Sequence, residues 1–322
     1  MSVKKSRFKP ILALLFLSPA IAELLSSSSP PLEFFNPLTM LLLVSFYGCG
    51  ALLIREAWVR WGRNPYTLLL LGAAYGVVEE GLLVKSFFST TWPDLGILAW
   101  YGRWLGVNWV WTVMLTIYHS VFSIAIPIVL VELFHPEVRA EPWLKRRGLS
   151  LILLVFLSVS TLFYLFFRYE TTPIHLLSAL LTALLLVVVS KKVSKRYLSG
   201  SREPPSAFKL ALIGSSWSAF LLIGPHIAGS LEVPAVLCVF SLIIVFLVYL
   251  NWVLSYEWIS PLKIFDLATS PLWTLIFFAF IAEIDVNRPD NPVGMSLVGI
   301  AAAFSIILAR RKLKKLYVVN ML

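Results

Sequence analysis

The chain has 322 residues, of which 59% are hydrophobic and 14% charged, and it carries a net charge of +10. An ordinary soluble domain is about 45–50% apolar and about 25% charged, so a soluble globular protein is excluded. Cys49 and Cys238 lie in separate apolar runs with no CxxC pattern, which excludes a disulfide framework or a cysteine metal knuckle and leaves them as packing residues.

Ten helical runs of roughly 18–25 residues follow one another, the length needed to cross a hydrocarbon core of ~30 Å. None has the period-two alternation of an outer-membrane barrel. The first, 10–27, follows Lys4, Lys5, Arg7 and Lys9. Its basic start and the small residues Ala20 and Ala22 also fit a signal peptide, but Leu24 and Leu25 prolong the apolar run, and it is read as a retained span. The proline-punctuated stretch 26–37 is an outer connection that can dip into the interface. The second run, 38–59, ends in Glu56 and Arg60 at i,i+4 spacing, with Arg55 expected to snorkel beside them. The third, 66–88, contains Glu79 and Glu80, and Lys85 near its outer end is expected to snorkel. Residues 89–111 hold Trp92, Trp100, Trp104, Trp109 and Trp111 beside Tyr101. That concentration reads as a headgroup-level anchor or, more sharply, as a lid over a site in the outer leaflet.

The fourth run, 108–133, has His119 near its middle and Glu132 near its inner end, where solvation is expected; His135 just beyond is an ordinary interface residue. Runs 149–168 and 173–190 are joined by an outer turn holding Arg168, Glu170 and His175. The basic loop 191–209, with "SGSREPPS", is expected to be a mobile cytoplasmic linker. His226 is near the outer end of run 208–229, and run 233–255 comes next. Run 263–283 leads into a solvated outer loop with Glu283, Asp285, Arg288 and Asp290, and run 292–309 precedes Arg310, Arg311, Lys312, Lys314 and Lys315. No internal repeat indicates an inverted-repeat transporter.

With the amino terminus inside, 23 of the 27 basic residues fall on inner segments, leaving Lys85, Arg103, Arg168 and Arg288 outside. This is the positive-inside bias. The positive charge is therefore a topology signal with anionic-lipid contact as a secondary effect, and nucleic acid is not an expected partner. The expected fold class is an all-α polytopic transmembrane bundle of about ten spans, both termini cytoplasmic, in the cell (inner or plasma) membrane. Its expected surroundings are membrane lipids.

The stretch "AAYGVVEEGLLVKSFF" places two adjacent carboxyl groups in a run otherwise fit for hydrocarbon. A charge at mid-bilayer costs about 2.5–3.5 kcal/mol on insertion scales, so at least one carboxyl is expected to be protonated or paired. Adjacent helical residues point about 100° apart, so one can face the interior while the other braces a neighbour. Counting ~1.5 Å per residue along the third and fourth runs brings Glu79 or Glu80 to the level of His119.

A diglutamate, a histidine about 40 residues on and another about 55 residues later resemble the CAAX-processing and bacteriocin-processing family of intramembrane glutamate proteases. Glu79 and Glu80 match its diglutamate and His119 its second histidine, with Val84 at the arginine position and Leu115 at the phenylalanine position. For the third motif His175 has the better spacing, with Ala179 at the asparagine position, whereas His226 is followed by Ser230. The match covers about 100 of the 322 residues; "AYGVVEEG", "GVNWVW" and "YHSVFSI" look more like uncharacterised prokaryotic multispan proteins.

The resemblance implies hydrolysis of a peptide or amide bond in a membrane-embedded substrate by a glutamate-activated water, without metal or other cofactor. Its candidate catalytic residues are Glu79, Glu80, His119, His175 and His226. Arg168, Trp104 and Asn108 are the candidate substrate-binding residues, Arg168 as the cation missing from the diglutamate motif. The same acids and imidazoles can ligate Zn²⁺, but no HExxH spacing is present, and a metal site ranks below a metal-free one. Two alternatives stand beside the hydrolase: a proton- or cation-coupled transporter or lipid-handling protein, and a scaffold in which the acids only brace helices.

Overall fold

The computed structural model describes residues 6–193, 200–286 and 288–319. These residues form an all-α bundle with ten long helices among them: α1 Phe8–Leu25, α2 Pro37–Arg60, α3 Pro65–Leu83, α4 Trp109–Phe134, α5 Arg146–Phe166, α6 Pro173–Val193, α7 Ala207–Ser230, α8 Ala235–Leu254, α9 Pro261–Ile284 and α10 Met295–Val319. The first nine are long and apolar enough to cross a membrane. The tenth expected span, 292–309, falls on α10, which is not among the helices apolar enough to cross, because Arg310, Arg311 and Lys312 follow its apolar stretch inside the same helix. Of the basic residues used for topology, Lys4, Lys5, Lys195 and Arg196 lie outside the described residues.

Helix starts follow from local chemistry. Asn36 accepts from the Leu38 and Thr39 amides and Asn64 from the Tyr66 amide, each followed by proline at the first helical position. Asn108 accepts from the Trp111 amide and Ser206 from that of Lys209. These side chains satisfy amides that lack an intrahelical partner, while proline loses nothing at a position whose N–H is unpaired anyway. Helix α3 stops at Leu83, five residues short of its predicted end, because Lys85 adopts a left-handed conformation at φ 63°.

Helices α3 and α4 form the centre, with 67% of each span buried, whereas α5 and α8 are 11% buried and present rows of leucine, valine and phenylalanine outward. Gly72 and Gly76 allow the central approach. A Cβ at Gly72 would lie 2.7 Å from the Ser120 Cα, and one at Gly76 would lie 2.9 Å from the His119 Cβ. This is small-residue helix packing, in which the missing side chain lets two backbones close. Helix α1 packs on α2 and α4, α6 on α3, and α7 to α10 complete the other half.

Two ends of the bundle differ in character. One holds a loop of tryptophans, residues 84–108, and is called here the tryptophan-loop end; the other holds Arg63, Arg139 and Lys145 and is called the basic-loop end. The tryptophan loop is more than a surface anchor. It folds as a short 3₁₀ turn, Pro93–Ala99, and a two-residue hairpin, β1 Arg103–Trp104 with β2 Val107–Asn108. Leu95, Leu98 and Trp111 enter the core, while Trp100 and Trp104 stay exposed.

Several polar residues lie elsewhere than their sequence positions suggest. Arg55 does not snorkel: it is fully buried, donating to Glu132 and Glu56 and to the carbonyls of Val138, Arg139 and Glu141, with its guanidinium 3.7 Å from the centre of the Trp143 ring. Glu132 is buried rather than solvated, paired with Arg55 and Arg63. Lys85 is buried as well, donating to the carbonyls of Leu83, Tyr164 and Phe167. The 191–209 segment is tethered: Arg202 bonds through its backbone to Ser255 and Glu257, while residues 194–199 lie outside the described residues. In the 283–290 loop Arg288 donates to Asp290 and to the Ser27 carbonyl, and its hydrogen bonds to the Asp290 carboxylate raise its pKa.

Candidate functional site

Four central helices widen from α to π geometry at one level of the bundle: α1 at Ala20–Leu25, α2 at Val44–Gly48, α3 at Val78–Leu83 and α4 at His119–Ala125. Each π turn delivers a polar side chain to the same place. These are Glu23 from α1, Tyr47 from α2, Glu79 and Glu80 from α3, and His119 with Ser123 from α4. Single π turns are rare and recur at functional sites, where the extra residue re-aims a side chain.

The side chains form one connected set. Glu80 Oε1 is 3.0 Å from His119 Nε2, and Glu79 Oε2 is 3.2 Å from His119 Nδ1, which also lies 3.0 Å from Ser123 Oγ. By angle, the contact of Nδ1 with Glu79 is a close approach and that with Ser123 a hydrogen bond; Glu79 Oε2 has no hydrogen-bond partner. The Tyr47 hydroxyl touches both Glu79 Oε1 and Glu23 Oε1. At one end Glu23 Oε2 accepts from Ser29 at 2.8 Å; at the other, Glu80 Oε2 accepts from Ser86, whose oxygen accepts from Trp111 Nε1 at 3.0 Å. Glu79, Glu80 and His119 are each no more than 6% exposed, while Glu23 is only half-buried. The Tyr75 ring lies 6.2 Å from that of His119, and its buried hydroxyl makes no hydrogen bond among the described residues.

Charge separates this cluster from the other buried polar layer. About 20 Å further along α4, at 1.5 Å per residue, Glu132 and Glu56 are matched by Arg55, Arg60 and Arg63. The cluster at the π turns has three carboxyl groups and one imidazole, and among the described residues no lysine or arginine side chain bonds to it. Lys85, five positions beyond Glu80, is turned to backbone carbonyls, and Arg288 donates to Asp290 and to the Ser27 carbonyl. Proton counting points the same way: a phenol carries one proton, so Tyr47 cannot donate to both Glu23 and Glu79, and the two acids must bring at least one proton of their own.

One ligand atom each from Glu79, Glu80 and His119 lie within 4.8 Å of one another, a set that can close on a metal ion. As they stand, however, the two carboxylates address opposite ring nitrogens. That arrangement suits an imidazole exchanging protons at both nitrogens better than a metal bound to one of them.

A model of an uncharacterised membrane protein family matches residues 12–310. The chain belongs to that family. No curated protein and no solved structure matches it. The family match supports the multispan reading and provides no link to the CAAX-processing proteases. Within the matched region lie all the cluster residues, from Ser29 and Glu23 to Ser123.

The other candidates from the sequence are elsewhere. His175 is half-buried, stacked on Phe88 with ring centres 4.7 Å apart, and its Nε2 donates to the Leu105 carbonyl at 2.9 Å, so it fastens the tryptophan loop to α6. His226 contributes only its backbone carbonyl, to Ser230, among the described hydrogen bonds. Arg168 is exposed and bonds the Leu165 carbonyl, so it does not supply a cation to the diglutamate. Trp104 is exposed on the hairpin. Asn108 is fully buried and structural, capping α4 and donating to the Leu98 carbonyl at 2.6 Å. Sequence reasoning missed Glu23 and Tyr47. The available signal was Glu23 itself, the one acid in the first apolar run, since an ionisable residue inside a span is a functional candidate by default.

Proposed function

We propose that the protein is a proton-coupled membrane protein whose proton-accepting element is the Glu23–Tyr47–Glu79–His119–Glu80 cluster. The observation that carries this reading is the excess of acid: buried Glu79 and Glu80 and half-buried Glu23 against one buried imidazole, with no lysine or arginine bonded to them among the described residues. Ionised acids so placed would cost several kcal/mol, so the cluster is stable when it holds protons.

Its connectivity supports transfer as well as storage. Glu23 meets Ser29 through Oε2 and Tyr47 through Oε1; Glu79 meets Tyr47 through Oε1 and His119 through Oε2. Imidazole takes a proton at Nδ1 and releases one from Nε2 to Glu80 Oε1, and Glu80 faces Ser86 through Oε2. Every transfer breaks one O–H or N–H bond and forms another; at Glu79 Oε2 and His119 Nδ1, which touch at 3.2 Å without a hydrogen bond, the carboxyl group or the ring must first rotate to align. Half-buried Glu23 is the entry, and Trp111 closes the far end by donating to Ser86.

In detergent, a small pH step followed with a soluble pH dye should show proton uptake by the purified wild type, and Glu79→Gln and Tyr47→Phe should each reduce or shift it. Equal uptake by wild type and both variants would overturn the reading.

A second reading, hydrolysis by Glu80 with His119, is favoured by the 3.0 Å contact between them, within reach for general-base chemistry. It expects membrane peptides to accumulate in cells carrying Glu80→Gln relative to wild type. An unchanged peptide profile would remove it.

A further inference from the structure

At the basic-loop end a cavity of about 430 Å³ opens between α3, α4, α8 and α9, walled by Leu68, Val121, Ala125, Val129, Phe246 and Ala268. A second, of about 400 Å³, flanks it across a seam of Leu69, Phe246 and Leu250, residues that line both. Helix α8 thus stands away from the central pair and leaves space on either side. The first cavity falls in the size range of small-molecule clefts, and its wall is apolar except at one end.

That end holds Arg63, Glu132 and Arg139. Arg63 is committed to Glu132 and to the Arg139 carbonyl, with its guanidinium 4.2 Å from the Trp58 ring centre. Glu132 is likewise committed, to Arg63 and Arg55. The Arg139 side chain is exposed and makes no hydrogen bond or ion pair among the described residues. From Val121 to Leu133 the cavity follows α4 for twelve residues, about 18 Å at 1.5 Å per residue, close to the depth of one leaflet of a ~30 Å hydrocarbon core. Its charged rim is at the end that the basic-residue bias assigns to the cytoplasmic leaflet, where anionic lipids reside.

We infer that this cavity is a binding site for an anionic phospholipid, one acyl chain lying along Val121 to Leu133 and the phosphate against Arg139. Charge complementarity selects the headgroup: among the described residues the Arg139 guanidinium is the one uncommitted cation at the rim, and its fork matches phosphate oxygens. The apolar wall selects the chain. Neither depends on the proton-accepting cluster.

The test uses the full-length protein in nanodiscs of mixed phosphatidylglycerol and phosphatidylcholine, with retained lipids identified by native mass spectrometry after transfer to detergent. Wild type should retain phosphatidylglycerol preferentially. Arg139→Glu should reduce that preference at least about tenfold, the loss expected for one charge-assisted phosphate contact. Arg139→Gln, which leaves the backbone carbonyl that accepts from Arg55 and Arg63 in place, guards against misfolding and should lose most of the preference too. Ala125→Trp, which fills the cavity, should expel the lipid whatever its headgroup. Equal retention of the two lipids by wild type, an unchanged preference in the Arg139 variants, retention by Ala125→Trp, or a free fatty acid in place of the phospholipid would each overturn the assignment.

Discussion

Replacing by glutamine whichever of Glu23 and Glu79 holds the extra proton should cost less stability than the same replacement at Glu132. Glu79 and Glu132 are both 4% exposed, and the change keeps size and shape while removing the charge. Glu132 bonds Arg55 Nε at 3.0 Å and both terminal nitrogens of Arg63. Removing one member of a buried pair costs about 3–5 kcal/mol because the partner is left uncompensated. Here Arg63 is 28% exposed at its side chain, and Arg55 keeps Glu56 and three carbonyls, which places Glu132→Gln near the lower figure, about 3 kcal/mol. At Glu79 or Glu23, whichever holds the extra proton, glutamine exchanges one neutral donor for another, a change on the order of 0.5–1.5 kcal/mol. With a melting shift of roughly 2–4 °C per kcal/mol, Glu132→Gln should lower the melting temperature by about 6–12 °C, and the better of Glu23→Gln and Glu79→Gln by no more than about 6 °C. Thermal unfolding in one detergent, followed by tryptophan fluorescence, measures all three. If Glu23→Gln and Glu79→Gln both fall as far as Glu132→Gln, both acids are ionised partners, and the proton-holding account is wrong.

Further outcomes follow from the geometry. Gly76→Leu should displace His119, since even a Cβ there lies 2.9 Å from the His119 Cβ; the expected cost is about 1–3 kcal/mol with loss of proton transfer, against little effect of Gly148→Ala, where the nearest atom is a leucine methyl at 3.4 Å. Lys85→Met should destabilise the tryptophan-loop end, freeing the Tyr164 and Phe167 carbonyls, and limited proteolysis between residues 84 and 108 should accelerate. Asn108→Ala should cost about 0.5–2 kcal/mol through the α4 cap, leaving proton transfer intact once folded. A functional loss in Asn108→Ala at temperatures where it is fully folded would instead place Asn108 in the chemistry.

The span pattern was legible because the length and spacing of apolar runs reflect the thickness of hydrocarbon, a constraint that acts on each run by itself. Helix starts were legible at Asn36, Asn64 and Asn108 for the same reason: the cap and the amide it satisfies are two or three residues apart. Glu79, Glu80 and His119 were found because an ionisable group in an apolar run is conspicuous. What was not legible depends on partners distant in sequence. Arg55 looked like a snorkelling end residue because its carbonyl partners come from residues 138, 139 and 141, more than 80 positions later. Lys85 was misplaced for the same reason, its acceptors being Tyr164 and Phe167. The π turns carry no pattern of apolar spacing, so their coincidence at one level, and with it Tyr47's place between two acids, appears only in three dimensions.

The most direct measurement is infrared difference spectroscopy of the purified protein at neutral pH, reading the carbonyl stretch of protonated carboxylic acids in wild type against Glu23→Gln and Glu79→Gln. At least one protonated acid should be present in the wild type and disappear, or shift, in one of the two variants, with Tyr47→Phe moving the same band. A spectrum with no protonated carboxyl, identical in wild type and all three variants, would mean that the acids at the π turns are ionised and paired, and would contradict the account.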